Sequence, residues 1–222
     1  MADNRDNALS VYQNSDDSLH RLTSNTFDSR YTELTIAGES FTLQDGIFGI
    51  AVSLVTNNLY YSPLSSQSLY YVNTEPFMKS EYKGNNVQYK GVEDIYNTQL
   101  FAKAVSKNGV VFFVNNSALG CLNDYQPIQR QNIDMVAQNE ETLQMIFSIK
   151  IKQDFPQSSR INRTQRNEYM LALSNRLQKF MNHNYNFNEV NFRILGANVN
   201  DLIKNTRCVN FNNQAHHSSR SH

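Results

Sequence analysis

Tryptophan is absent from this chain, cysteine occurs only twice, and the two signs of charge cancel. Each shortage removes a class of explanation. With 20 Lys plus Arg against 20 Asp plus Glu, no basic field exists of the kind that nucleic acid or an anionic membrane requires, so neither is expected as a main partner. The longest mostly apolar run, Gly46 to Val55, is about half the length of a membrane span. The opening residues MADNRDNALSVY hold no apolar stretch of the signal-peptide kind. No G-x-G-x-x-G, P-loop, H-E-x-x-H or C-x-x-C occurs, so the motifs point to no cofactor, no metal and no catalytic residue.

Uncharged polarity fills the gap. Charged residues make up 18% of the chain, below the quarter or so that is usual, while 30 Asn and 15 Gln keep it wettable and raise its nitrogen content. The two cysteines, Cys121 and Cys208, fit either free thiols or one disulfide. Asn115 and Asn162 each begin an Asn-x-Ser/Thr sequon, which matters only in a secreted protein. His20 and His183 lie far apart in sequence and in no nucleophile or metal pattern. Asp16-Asp17 and Glu140-Glu141 are adjacent carboxylates in turn-like surroundings, and neighbours on a strand point to opposite faces. The 12 Tyr and 13 Phe read as the core of a β protein rather than as a ligand cage.

Short runs rich in Val, Ile, Tyr, Phe and Thr, punctuated by Asn, Asp, Gly and Ser, dominate from residue 8 to 175. Thirteen such runs, including 58–63, 68–73, 110–115 and 168–175, predict an all-β sandwich, barrel or propeller. Asn14–Ser18 predicts a hairpin turn, and Asn108-Gly109 predicts a type I′ turn with positive φ at both residues. Leu59-Tyr60-Tyr61 recurs as Leu69-Tyr70-Tyr71 across a serine-rich turn, Ser62–Ser68. Strands with apolar bulk on both faces must be covered on both sides, which suits interior strands packed between sheets. Helix is confined to one turn at 75–80 and a segment at 198–206 capped by Asn198 or Asn200. The polar tail 209–222, with His216, His217 and His222, reads as disordered, as do residues 1–7.

The blocks VYQNSDDSLHRLTSNTF, GIAVSLVTNNLYYSPLSSQSLYYVNTEPF, NNVQYKGVEDIYNTQLFAKAVSKNGVVFF, SALGCLND, QRQNIDMVAQNEETLQMI and EYMLALSNRLQKFMN, in this order, strongly resemble the major royal jelly proteins of the yellow family of insect secreted proteins. The resemblance covers about residues 8–210. It implies a six-bladed β-propeller, of which this chain matches the C-terminal half. The expectation is therefore an open arc of about three blades at 8–74, 77–123 and 132–182, followed by a closing segment at 183–208. Extracellular secretion is likewise implied, and with it a Cys121–Cys208 disulfide that ties the C-terminal segment to a blade, and glycans on Asn115 and Asn162. One departure from the family pattern is a shortened VVFFVNNSALGCLND with Leu122 where the family has Trp. A shortened loop strains a turn or shifts register, so this blade is expected to pack imperfectly.

What the resemblance implies for function is a nutrient or storage role, which needs no active site, with possible association with other royal jelly proteins. A second implication is carriage of a small ligand, a sterol or a biogenic amine. Asn175 matches the Asn of the family's amine-site step, but Leu177 stands where that step has an aromatic, and an aromatic face supplies much of the affinity for a cation. A melanin-pathway activity is a third implication, for which the residues show no base, nucleophile or metal set.

Overall fold

A computed structural model of the chain describes residues 2–3, 7–79, 87–153 and 167–209. Asn162 and the tail histidines His216, His217 and His222 lie outside the described residues. The fold is all-β, and every strand pairing is antiparallel between sequence neighbours. The first sheet comprises β1 (Ala2–Asp3), β2 (Ala8–Gln13) and β3 (Ser18–Thr23). A separate hairpin, β4 (Glu33–Ile36) and β5 (Glu39–Thr42), follows. Two four-stranded meanders come next: β6 (Ile47–Val52), β7 (Asn58–Pro63), β8 (Leu69–Asn73) and β9 (Tyr89–Val92), then β10 (Lys103–Val105), β11 (Val110–Asn115), β12 (Ala118–Asn123) and β13 (Ile133–Gln138). The last sheet has three strands, β14 (Ile146–Gln153), β15 (Glu168–Asn175) and β16 (Phe192–Asn198). Two short helices, α1 (Leu177–Met181) and α2 (Val199–Ile203), flank β16.

The sheets stack face to face, a packing consistent with a propeller-like fold, and alternation along each strand explains how. Leu59 and Tyr61 of β7 point with Leu9, Leu22 and Phe27 into one core, while Tyr60 points with Val111, Phe113 and Leu122 into the next. The odd and even residues of β11 divide in the same way, with Val110, Phe112 and Val114 joining Ile149, Met170 and Ala172 in a third core. A strand with period-2 geometry and apolar residues at every position has no wet face. The repeated tyrosines are directly opposed across the hairpin, Tyr60 to Tyr71 and Tyr61 to Tyr70, with ring centroids 5.7 and 5.6 Å apart. Their hydroxyls carry the polar cost of burial. Tyr60 Oη and Thr56 Oγ1 both donate to Asp124, and Tyr61 Oη shares a proton with Thr26 Oγ1 at 2.7 Å. Burial pushes the ionisation of both tyrosines upward.

The serine-rich turn between β7 and β8 is itself buried, with Ser62, Ser65, Ser66 and Ser68 inaccessible. A buried turn survives only if its backbone is paired. The Ser65 carbonyl accepts from the N–H groups of Arg30 and Tyr31 at 2.8 Å each, and Ser65 Oγ donates to the Leu43 carbonyl at 2.6 Å.

Several sequence expectations need correction. The sheet limits fall at 47–92, 103–138 and 146–198 rather than at the expected 8–74, 77–123 and 132–182, because the outer strands β9, β13 and β16 return only after long excursions. The first residues, expected to be disordered, place Ala2–Asp3 against Ala8–Leu9 as β1. The Asn108-Gly109 turn has positive φ only at Gly109 (78°). Gly109 N–H donates to the Ser106 carbonyl and Ser106 pairs with Val110, so the loop has three residues and ends in a left-handed glycine. The shortened β11–β12 turn leaves six residue pairs in register, and Leu122 is fully buried. The register shift in this sheet lies instead between Leu119 and Gly120, against β13.

Cys121 on β12 is bonded to Cys208 just beyond α2, with Cα atoms 6.1 Å apart and 87 residues of separation. Arg207 reinforces the junction through bonds to Asp134, which hold that carboxyl below its usual range. Closing a loop of that size is worth about 4–5 kcal/mol on the chain-entropy account. Reduction, or Cys208→Ser, is expected to lower the unfolding free energy by about that amount. Denaturant unfolding with and without reductant measures it.

Candidate functional site

The segment after β15 builds an open aromatic concavity. Asn175 ends β15, and its Oδ1 accepts from Leu177 N–H at 3.1 Å, turning the chain into α1. Such an Asx turn satisfies a helix-start donor that the strand could not. Phe192 on β16 is the cross-strand partner of Asn175, so both stand on the same face. The intervening loop folds back over them. His183, at φ 56°, reverses its direction, and Asn191 Nδ2 clamps it by donating to the Asn186 carbonyl at 2.7 Å. Arg176 pairs with Glu189, which also accepts from Asn186 Nδ2 at 3.1 Å. These contacts, the Asn186 bond first, hold the Glu189 carboxyl below its usual range.

The result is an open pocket of about 520 Å³ with mostly apolar walls. Phe180, Tyr185, Phe187 and Phe192 supply the aromatic surface, and Asn175, Arg176 and His183 the polar groups. Tyr185 meets Phe187 edge to face at 5.2 Å and Phe180 at 6.4 Å. Gln178 is fully buried and donates to Gln144 Oε1 at 2.9 Å, which anchors α1 to the β13–β14 connection. A concavity of aromatic faces with a few polar groups suits a flat apolar or cationic small molecule. Leu177 is in the wall, as its position predicts, but aromatic faces come from four other residues. Their signal in the sequence is the run FMNHNYNFNEVNF, in which Asn alternates with His183, Tyr185 and Phe187 at the period of a strand, although the segment folds as a loop.

Other polar groups resolve into structure. Ser18 Oγ lies 2.7 Å from Asp16 Oδ1 and 2.9 Å from His20 Nε2. This is an exposed turn in which the carboxylate engages the serine rather than orienting the imidazole, the reverse of a nucleophile–base–orienter relay. Asp17 accepts from Tyr12 Oη at 2.8 Å, so the adjacent carboxylates serve different partners. Glu141 faces Arg193 at 3.9 Å, while the Glu140 carbonyl accepts from Gln144. His20 and His183 sit in separate sheets' surroundings, on β3 and after α1. Among the described residues no three His, Cys, Asp or Glu side chains are grouped to hold a metal ion. Asn115 ends β11, half-buried, beside the Asn116–Ser117 turn. No helix of the described residues is long and apolar enough to cross a membrane.

These features define an antiparallel β-sheet protein with a disulfide-tied C-terminus and an aromatic pocket beside its last strand. The profile of the family described as Major royal jelly protein matches residues 1–208, and the chain belongs to that family. It is 67% identical to Major royal jelly protein 6 of Apis mellifera, covering 99% of this chain and 51% of that protein. It is 63% identical to Major royal jelly protein 3 and 64% identical to Major royal jelly protein 2 of the same species, with 96% of this chain covered in each case, and 40% and 48% of those proteins. The chain thus spans about half the length of the curated relatives it matches. A solved structure of a luciferin-regenerating enzyme is similar at a TM-score of 0.47 and 10% identity, over 84% of this chain and 50% of that one.

One ionisable group outside the pocket is energetically conspicuous. Lys103 of β10 is buried, and its Nζ donates to the Phe101 carbonyl at 2.8 Å. Burial pulls its pKa down to about 7. A depressed lysine pKa means that the unfolded chain binds the proton more tightly, so stability is lowest below the folded pKa and rises as pH climbs toward the unfolded value. Between about pH 6 and pH 9.5 the gain is on the order of 3 kcal/mol. Lys103→Met is expected to raise stability near pH 6 and to flatten that rise. Thermal or denaturant unfolding across the pH series tests both.

Proposed function

We propose that this chain is a secreted, royal-jelly-type nutrient or storage protein that works without catalytic turnover. The observation that carries the reading is the amide content of a royal jelly family member, 30 Asn and 15 Gln in 222 residues. Each side-chain amide adds a nitrogen without adding charge, and storage asks nothing more of a surface than solubility. Export is supported by the Cys121–Cys208 bond, since such bonds persist in oxidising compartments. It makes Asn115 and Asn162 candidate glycan sites. The succession of stacked meanders and the half-length match support the finer fold reading, an open arc of about three blades of a six-bladed propeller. Association with other royal jelly proteins belongs to the same reading. Quantitative peptide mass spectrometry of the insect's brood food is the test, with a place among the abundant proteins expected. Trace amounts, or turnover of dopachrome above background by the purified chain, would overturn the proposal.

A second reading has a specific observation in its favour. The pocket at Asn175 offers four aromatic side chains to a sterol or to the ring and cation of a biogenic amine. Calorimetric titration with serotonin, dopamine and a sterol is expected to give saturable heat with one of them. Phe180→Ala is expected to weaken that binding by about 1 kcal/mol. Flat heats with all three exclude small-ligand carriage by this pocket.

A further inference from the structure

The charge on the pocket wall has one sign. Arg176 and His183 are its basic groups, and among the described residues no Asp or Glu lines it. An imidazole is neutral or positive, so the wall offers no carboxylate to a cation. Glu189, the ion-pair partner of Arg176, stands outside the wall. Its side chain is 41% exposed against 13% for Arg176, so water screens the acid more than the base. The carboxylate is also shared, since its other oxygen accepts from Asn186 Nδ2.

The guanidinium keeps donor capacity. Its bond to Glu189 uses Nη1 alone, and Nε is buried without a hydrogen-bond partner among the described residues. A guanidinium has more N–H donors than one carboxylate oxygen can fill. A single, partly solvated acid therefore leaves Arg176 under-compensated. The aromatic surface begins one helical turn away. Phe180 N–H donates to the Arg176 carbonyl at 3.4 Å, and both side chains line the pocket. Asn175, the residue before Arg176, is the cross-strand partner of Phe192, another ring of the wall. Guanidinium and rings thus converge on one concavity of about 520 Å³, room for a ring system with a short arm.

From this arrangement we infer that the pocket selects flat aromatic acids over the amines built on the same ring. The inference rests on the reading of this pocket as a small-ligand site and names its ligand class. The ring lies on the aromatic wall and the carboxylate meets Arg176. Hydrogen bonds from a guanidinium to a carboxylate are about twice as strong as neutral ones. A cation gains only a weak attraction from aromatic faces at an open site, and in this pocket it would stand beside a like charge. The rings alone would favour the amine, so the sign of the wall charge decides.

Calorimetric titration with matched pairs tests that sign, because each pair keeps the ring and exchanges only the ionic arm. Serotonin is set against hydroxyindole-acetate and dopamine against dihydroxyphenylacetate, with uncharged hydroxyindole as the measure of ring binding. Each acid is expected to bind about tenfold tighter than its amine. Arg176→Gln is expected to abolish that ratio while hydroxyindole still binds, and Glu189→Gln to enlarge it. The two variants separate charge from architecture, since loss of a merely structural ion pair would weaken binding in both. An amine that binds as tightly as its acid overturns the inference and leaves the small-ligand reading standing. So does a preference for acids that survives Arg176→Gln. If Arg176→Gln loses hydroxyindole as well, Glu189→Gln decides, and an acid preference that does not grow there overturns the inference. No saturable heat from either acid overturns it too, and none from the amines and a sterol besides overturns the small-ligand reading with it.

Discussion

The structure depends on a single constraint, that its interior sheets have no solvent face. β7 and β11 are apolar at nearly every position, so each must lie between two other sheets. Hydrophobic burial favours such stacking, and the pleat decides which residue serves which neighbour. Once Leu59 and Tyr61 serve one core and Tyr60 the other, the order of the sheets along the chain is set. The polar details answer to the same demand. Asp124 is buried because two hydroxyls, from Tyr60 and Thr56, reach it. The serine turn tolerates burial because Arg30, Tyr31, Leu43 and Asp45 pair with it.

That constraint is relaxed only at the end of the stack. The sheet of β14–β16 covers one face against β11 and β12 and leaves the other to the pocket loop. Aromatic residues that would be core in an interior sheet are here presented to solvent around Asn175. A storage protein accommodates such a surface without cost to function, and a carrier would use it. The two readings share one geometry and differ in what occupies it.

Much of the fold was legible because β structure leaves a local signature. Strands at 58–63, 110–115 and 168–175 have the predicted bounds, and the Asn198 cap opens α2. β5 and β16 were not legible, since ESFT is mostly polar and FRILGAN sets Phe192 and Ile194 on its open face while glycine and asparagine follow, so neither shows an apolar-in, polar-out alternation. Sheet limits were misplaced because hydrogen-bond partnership across a long excursion has no local trace. Position 177 was legible as a missing aromatic. That Phe180, Tyr185, Phe187 and Phe192 line one pocket was not, because a loop reversing at His183 brings them together where the period-2 alternation of 181–188 points to a strand.

By itself the amino-acid sequence determined the all-β class, the hairpins, the amide-rich neutral surface and, through its resemblance, the family. Those properties are written in composition and in contacts between near neighbours. Only the tertiary structure decided which strands share a sheet, that Lys103 is buried, and that the aromatic side chains around Asn175 line one pocket. Each of these brings together residues that are not chain neighbours. Their proximity is selected by burial of the whole set of sheets, a quantity no short stretch of sequence contains.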